Sequence, residues 1–115
     1  MKIPFHRPVF NKSTIAEIED VIESGWVTTG KKTLLFEEKL CDYLDSKHVI
    51  AVNSCTAALH LGAVISGLTK NDFFIVPSYT FVSSIEIGEY IKALPLIVDI
   101  DKKTMNLDLN QVEHL

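Results

Sequence analysis

The most constraining feature of the sequence is an alternation of short apolar runs and helical patterns in its second half. The runs "HVIAVN", "DFFIVPS" and "LPLIVDI" are separated by "TAALHLGAVISGL" and "TFVSSIEIGEYIKA", which have helical composition and spacing. Strand, helix, strand, helix, strand is the order produced by parallel βαβ units with right-handed crossovers. Strands that are apolar throughout are typically covered on both faces. The sequence therefore predicts an α/β fold with a partial, mainly parallel βαβαβ sheet.

Two helices are predicted ahead of this sheet. Residues 1–11 contain two prolines and read as an extended arm. Thr14 and Glu17 match a capping box, and Gly25 is a plausible stop for the helix that follows it. Thr33 is a candidate cap for a second helix. A further capped helix is expected at Asp108 with no strand after it, so we expect the chain to be the first part of a longer protein.

Composition excludes several classes of function. The net charge is −4 without any lysine or arginine run, which argues against a nucleic-acid partner. The apolar runs are too short to span a bilayer, and the first residues lack the apolar core of a signal peptide. The two cysteines and four histidines have no metal-ligand spacing. These observations predict a cytoplasmic protein that binds neither membrane nor metal.

The stretch "NSCTAALH" joins the first apolar run to a helix and allows two interpretations. The first backbone N–H groups of a helix have no internal partner, so Ser54, Thr56 and the amides of Thr56 and Ala57 are able to bind a phosphate. An ordinary strand-to-helix turn with a Ser or Thr cap explains the same residues. Cys55 in this turn is either a reactive thiol near a helix N-terminus or a small packed residue.

Two further features have paired readings. Phe81, in "PSYTF" after the second run, either stacks on a flat ligand or is a core aromatic at a helix start. Asp99 and Asp101, at the end of the third run, either bind a metal or a hydroxyl or belong to a solvated turn. Ligands bind outside the carboxyl ends of the strands in open parallel sheets, so all of these residues fall where a ligand is expected.

Taken in order, the segments "GWVTTGKKTLLFEEKLCDYL", "KHVIAVNSCTAALHL", "FFIVPSYTFVSSIEI" and "PLIVDIDKKTMNLD" resemble the amino-terminal portion of the DegT–DnrJ type sugar aminotransferases. These are fold type I pyridoxal phosphate enzymes. The resemblance implies that Ser54, Cys55, Thr56 and Ala57 bind the cofactor phosphate and that Phe81 lies against the pyridine ring. It also implies two regions: residues 1–33 as arm, helix and substrate-side loop, and residues 34–115 as part of the cofactor-binding large domain.

The resemblance also implies a substrate. Residues Trp26, Val27, Thr28 and Thr29 would help line a nucleotide-sugar site built between two subunits, with His6 near it. The full-length protein would transfer an amino group, commonly from glutamate, to a nucleotide-linked keto sugar in polysaccharide biosynthesis. We expect a homodimer or higher oligomer, in part because the helix after "NSC" is apolar nearly all round.

The family's Schiff-base lysine and the carboxylate that pairs with the pyridinium nitrogen match no residue of this chain. The sequence therefore assigns no catalytic residue, and the chain alone is expected to be inactive and to bind the cofactor weakly or not at all. A sugar dehydratase with histidine in place of that lysine is a close variant. A binding module for a phosphorylated ligand, or an inactive truncated product that only associates, are the alternatives from other classes.

Overall fold

The structure is a computed structural model that describes residues 2–115, and the chain forms two compact units that meet in sequence between Ala51 and Val52. The first unit contains two helices. The second contains a two-stranded parallel sheet with three helices. This order of elements confirms the predicted α/β fold with two leading helices.

Helix α1 spans Lys12–Glu23 and begins one turn earlier than the sequence predicts. Its N-cap is Asn11, whose Oδ1 accepts a hydrogen bond from the Thr14 amide at 3.0 Å. The prediction of Thr14 as the cap was wrong, because asparagine is an equally good cap and lies three residues upstream. The helix stops as predicted before Gly25, whose φ of +70° is in the left-handed region that glycine adopts without strain.

Helix α2 spans Lys31–Leu44 and also begins before its predicted cap. Gly30 is the N-cap residue and makes no side-chain capping bond, so Thr33 lies inside the first turn. At the other end Asp45 adopts a left-handed conformation, with φ 49°, and its amide bonds to the Cys41 carbonyl. The sequence could not show the position of this start, because glycine has no side chain with which to cap.

The first predicted strand, "HVIAVN", does not form a strand in the described chain. Its residues have no ladder partner, although the Ala51 amide donates to the Glu37 carboxylate at 2.7 Å. Strand conformation is stabilised by pairing, and no part of residues 2–115 pairs with this run. An apolar run that is suited to a strand therefore has no strand structure here, because it has no partner strand.

The second unit follows the remaining pattern closely. Its strands β1 and β2 pair in parallel, from Phe73↔Leu94 to Pro77↔Val98. The elements in chain order are α3 (Cys55–Ile65), β1 (Phe73–Pro77), α4 (Ser83–Ile91), β2 (Leu94–Val98) and α5 (Leu109–Val112). A parallel pair needs a long crossover, and α4 supplies it.

The core of the second unit is small and is formed by the sheet, α4 and the turn between α4 and β2. Its buried apolar residues are Val76, Ile87, Ala93 and Val98. The sheet face opposite α4 carries Phe73 and Leu94, which are 60% and 56% exposed, although Val98 on the same face is buried. The expectation that both faces are covered is met only in part within the described residues, because one crossover helix covers only one face of a two-stranded sheet. Helix α3 has no buried residue, and Ile65 on it is 82% exposed.

Gly88 allows α4 to approach the sheet closely. A Cβ built at this position would lie 2.8 Å from Phe74 Cε1 and 2.9 Å from the Ala93 carbonyl oxygen. The carbonyl belongs to the turn between α4 and β2, so it cannot move without disturbing the register. The packing of α4 on β1 therefore requires glycine, which has no side chain, at position 88. No helix in residues 2–115 combines the length and apolar composition needed to cross a bilayer.

We predict that Gly88→Ala lowers the free energy of unfolding by about 1–3 kcal/mol, because overpacking forces a backbone shift. The matched control is Gly62→Ala in the middle of α3, where an added Cβ meets no atom within 4 Å. Glycine in a helix is less favourable than alanine by about 0.5–1 kcal/mol, so this control is expected to stabilise. Urea unfolding followed by circular dichroism measures both, and equal stabilities for the two variants would contradict the packing described.

Candidate functional site

The turn between "HVIAV" and α3 is a capped helix start. Ser54 is the N-cap, and its Oγ accepts from the Ala57 amide at 3.1 Å. The Ser54 carbonyl accepts from the Ala58 amide at 3.1 Å. The amides of Cys55 and Thr56 have no acceptor within residues 2–115. The capping interpretation is therefore right, and it leaves two N–H groups of the turn available to a ligand.

The donors left in this turn suit a phosphate group. The Ser54 hydroxyl accepts from the Ala57 amide at 3.1 Å and donates to Asn53 Oδ1 at 3.4 Å, whereas the Thr56 hydroxyl makes no hydrogen bond within the described chain. The amides of Cys55 and Thr56 and the Thr56 hydroxyl, at a helix N-terminus, are donors of the kind that bind phosphate oxygens. The Ser54 hydroxyl joins them only if its bond to Asn53 opens. The Ala57 amide is already bonded to Ser54, so its predicted phosphate contact would require that bond to open. Cys55 is exposed, which disfavours the packed-residue reading.

Phe81 lies in the loop between β1 and α4 and is 74% exposed. The reading of a core aromatic is therefore wrong, and the ring is free to stack on a flat ligand. The loop is tied to the helix start, since the Ser84 amide donates to the Phe81 carbonyl at 3.0 Å and the hydroxyls of Thr80 and Ser84 are 2.9 Å apart.

The topology brings the Ser54–Ala57 turn and Phe81 to the same edge of the second unit. Helix α4 joins two parallel strands, so it begins at their carboxyl ends. Helix α3 leads through a short turn to the amino end of β1, so its own start points towards the carboxyl edge. The two helices lie side by side, with the rings of His60 and Tyr90 5.2 Å apart. This is the edge at which open parallel sheets bind ligands.

A hydrogen bond that sequence analysis missed lies at this same edge. Ser78 follows β1 directly, Asp99 follows β2 directly, and the Ser78 hydroxyl donates to Asp99 Oδ1 at 3.0 Å. Hydrogen bonds from the Ile100 amide and from Ser78 lower the pKa of Asp99 below its usual value. The positions of Ser78 and Asp99 in the sequence could have indicated this bond, because residues that directly follow two paired parallel strands are neighbours across the sheet.

Asp101 has the structural role that its solvated-turn reading predicts. Its Oδ1 accepts from the amides of Thr104 at 2.8 Å and Lys103 at 3.0 Å, and the Thr104 hydrogen bonds lower the pKa of Asp101. Among residues 2–115, no three His, Cys, Asp or Glu side chains lie close enough together to hold a metal ion.

The predicted substrate loop, in the first unit, is organised around Trp26. Its indole Nε1 donates to the Thr29 carbonyl at 2.8 Å, and its amide donates to the Ser24 hydroxyl at 3.2 Å. Gly30 lies against the indole, since a Cβ there would be 2.4 Å from Trp26 Cδ1. Sequence analysis did not identify the requirement for glycine at position 30, although the glycine in "TTG" lies close enough in sequence to Trp26 to indicate a contact.

A cavity of about 480 Å³ opens beside this loop, and its lining includes Trp26, Thr28, Lys31 and Leu34. Trp26 and Thr28 thus share one cavity, whereas His6, Val27 and Thr29 do not line it. His6 is exposed in the extended arm, and Val27 is 70% exposed.

An ion pair fixes one lysine of the cavity wall. Lys32 bonds to Glu17 of α1, and it lies 3.7 Å from Asp20. This hydrogen bond lowers the pKa of Glu17 and raises the pKa of Lys32. Both side chains are solvent-exposed, so the pair contributes little to stability.

Comparison with known proteins gives consistent matches along the chain. Residues 8–115 match the DegT/DnrJ/EryC1/StrS aminotransferase family. An uncharacterized protein of Methanocaldococcus jannaschii is 39% identical over 112 residues, which are 97% of this chain and 29% of that protein. A proposed sugar aminotransferase from Streptococcus pneumoniae, solved in its pyridoxal phosphate form, is 34% identical with a TM-score of 0.88.

The S. pneumoniae structure matches 99% of this chain, and the match covers 29% of that protein. The GDP-4-keto-6-deoxy-D-mannose-3-dehydratase of E. coli, solved with hydrated pyridoxal phosphate, also has a TM-score of 0.88. At 22% identity, over 98% of this chain and 31% of that one, it shows the shared fold alone. The chain thus spans less than a third of the length of these relatives. With the family match extending over nearly all of its residues, the chain belongs to the DegT/DnrJ/EryC1/StrS aminotransferase family.

Proposed function

We propose that this chain supplies the phosphate turn and the ring-stacking residue of a pyridoxal phosphate-dependent aminotransferase acting on a nucleotide-linked keto sugar. The observation that carries the proposal is the combination at one edge of the second unit. There the amides of Cys55 and Thr56 and the Thr56 hydroxyl have no acceptor within residues 2–115, and Phe81 offers an exposed aromatic face. A phosphate and a flat ring joined in one ligand use both features.

The cofactor, when bound, supplies an electron sink and carries the amino group between donor and acceptor. The chain's own residues determine its position. The amide of Cys55 and the amide and hydroxyl of Thr56 would hold the phosphate oxygens, with Ser54 and Ala57 joining them if their own hydrogen bonds open. Phe81 would lie against the ring and restrict its orientation.

The substrate side of the proposal rests on the Trp26 cavity. Residues 1–33 would form the substrate-side region and residues 34–115 the cofactor-binding region. Trp26 and Thr28 of this cavity, together with Val27, Thr29 and His6, would contact the nucleotide sugar. Glutamate is the proposed amino donor, the enzyme is proposed to act in the cytoplasm, and a second subunit would complete the site.

A dehydratase of the same family is the second candidate. The E. coli relative acts on GDP-4-keto-6-deoxy-D-mannose, and its fold matches this chain as closely as that of the S. pneumoniae protein. The two activities use the same phosphate turn and ring platform. They differ at the residue in the position of the Schiff-base lysine, and sequencing the coding region downstream of Leu115 would distinguish them.

The phosphate turn is tested by Thr56→Val, which removes a hydroxyl and leaves the amide and the Ser54 cap in place. We expect the dissociation constant for pyridoxamine phosphate to rise about tenfold, as for the loss of one hydrogen bond to a charged group. Pyridoxamine phosphate has no aldehyde that would react with surface lysines. Amide chemical shifts in an NMR titration measure the affinity.

Ser66→Ala is the matched control, since it removes a hydroxyl that bonds to the Gly62 carbonyl at the other end of α3. It is expected to leave the affinity unchanged. Equal affinities for wild type and Thr56→Val would remove Thr56 from the site. Binding of inorganic phosphate as tight as that of pyridoxamine phosphate would instead favour a general phosphate-binding module.

The substrate loop is tested by fluorescence, because Trp26 is the chain's single tryptophan. We expect a GDP- or dTDP-linked keto sugar to quench its emission, whereas the free sugar does not. Thr28→Val is expected to weaken this binding about fivefold, as for one neutral hydrogen bond. A nucleotide sugar that binds, as judged by calorimetry, without changing Trp26 emission would place the substrate elsewhere.

The last prediction from this proposal concerns the 115 residues alone. None of their lysines, Lys70 and Lys92 included, matches the family's Schiff-base position, so we expect no covalent cofactor link at a single lysine and no amino transfer. Absorbance spectra with pyridoxal phosphate, borohydride reduction and peptide mapping provide the test. A stoichiometric adduct at one lysine, together with turnover of a keto-sugar nucleotide, would refute this prediction.

A further inference from the structure

We propose that Asp99 is a positioning residue for the cofactor ring, acting through the Ser78 hydroxyl on the loop that carries Phe81. This inference rests on the proposed function, since it assigns to Phe81 the ring contact described above. It adds a residue that touches neither the phosphate turn nor the ring.

The Ser78–Asp99 bond closes the carboxyl end of the sheet. Pro77↔Val98 is the last register pair, and the Ser78 amide donates to the Val98 carbonyl at 2.8 Å, one step beyond it. The side-chain bond from Ser78 to Asp99 Oδ1, at 3.0 Å, follows immediately. The first residue of the Phe81 loop is thus attached to β2 through both its main chain and its side chain.

Asp99 is itself held on several sides, which makes it a rigid anchor. Its Oδ1 also accepts from the Ile100 amide at 2.8 Å, and its carbonyl accepts from the Asp108 amide at 3.0 Å. Its amide donates to Gln111 Oε1 at 3.3 Å. A carboxylate fixed in this way presents one direction to Ser78, and charge-assisted hydrogen bonds are stronger than neutral ones.

Packing does not hold the loop between Ser78 and α4. Tyr79 is 68% and Phe81 74% exposed, so neither ring is fixed by neighbouring side chains. The loop depends on hydrogen bonds at its ends: Ser78–Asp99 at the start, and the Thr80–Ser84 and Phe81–Ser84 bonds at the helix. Without the Ser78–Asp99 bond, the start of this loop is attached to β2 only through the main-chain bond from the Ser78 amide to the Val98 carbonyl.

The experiment compares two probes, pyridoxamine phosphate and inorganic phosphate, by NMR titration of the full-length protein as wild type, Ser78→Ala and Asp99→Ala, because the 115 residues alone are expected to bind the cofactor weakly or not at all. Inorganic phosphate reports on the α3 turn alone, and pyridoxamine phosphate reports on turn and ring together. We expect either substitution to weaken the binding of pyridoxamine phosphate about fivefold, as for one lost hydrogen bond, and to leave the affinity for inorganic phosphate unchanged.

Three controls separate positioning from general stability. Asp99→Asn keeps an oxygen that accepts from Ser78 and is expected to restore most of the affinity. The double variant is expected to lose no more than either single variant, because both remove the same bond. Asp101→Ala removes a nearby carboxylate that stabilises only its own turn, so the ratio of the two affinities should not change.

Three outcomes would overturn this inference alone. In the first, Asp99→Ala leaves the ratio of the affinities for pyridoxamine phosphate and inorganic phosphate unchanged, because both affinities stay the same or fall equally. In the second, Ser78→Ala weakens the binding of both probes equally, and in the third, Asp101→Ala changes the ratio as much as Asp99→Ala does. Failure of wild type to bind either probe would overturn the proposed function and this inference together. The two kinds of failure are therefore distinguishable within one set of titrations.

Discussion

The parallel pairing of β1 with β2 is the constraint on which the rest of the second unit depends. Five consecutive residues of each strand are in register, and a parallel pair of this kind requires a crossover. That crossover is α4, and Gly88 permits its close approach to Phe74. Once the crossover is fixed, both loops that follow the strands lie at one edge. Asp99 and Phe81 therefore both lie at the carboxyl edge of the sheet.

Sequence pattern predicted the helices and the two paired strands because periodicity reflects burial against a partner within the chain. It failed for "HVIAVN" because composition indicates strand preference and cannot show whether a partner strand is present. It also placed two helix starts too late. Asn11 and Gly30 are the actual N-caps, and choosing between nearby caps depends on backbone geometry that sequence spacing does not determine.

In the candidate site, too, features that depend on neighbouring residues were predicted from the sequence, and features that depend on distant residues were not. Ser54 was identified as a cap or a phosphate ligand, and the structure shows that the cap leaves the Cys55 and Thr56 amides without acceptors. The exposure of Phe81 and the Ser78–Asp99 bond could not be predicted from spacing alone. The residues of that bond are 21 positions apart (99 − 78), and only the strand register brings them together.

The register also has a consequence for folding kinetics. Every pair in the sheet joins residues separated by the same distance in sequence, 21 positions, as in Phe73↔Leu94 (94 − 73). Closing a loop of this length has a modest entropic cost, and most of the loop is occupied by a helix that forms locally. The βαβ element can therefore nucleate as one stretch of chain, without waiting for α1 or α2. The carboxyl edge of the sheet would be organised as soon as that stretch has emerged from the ribosome.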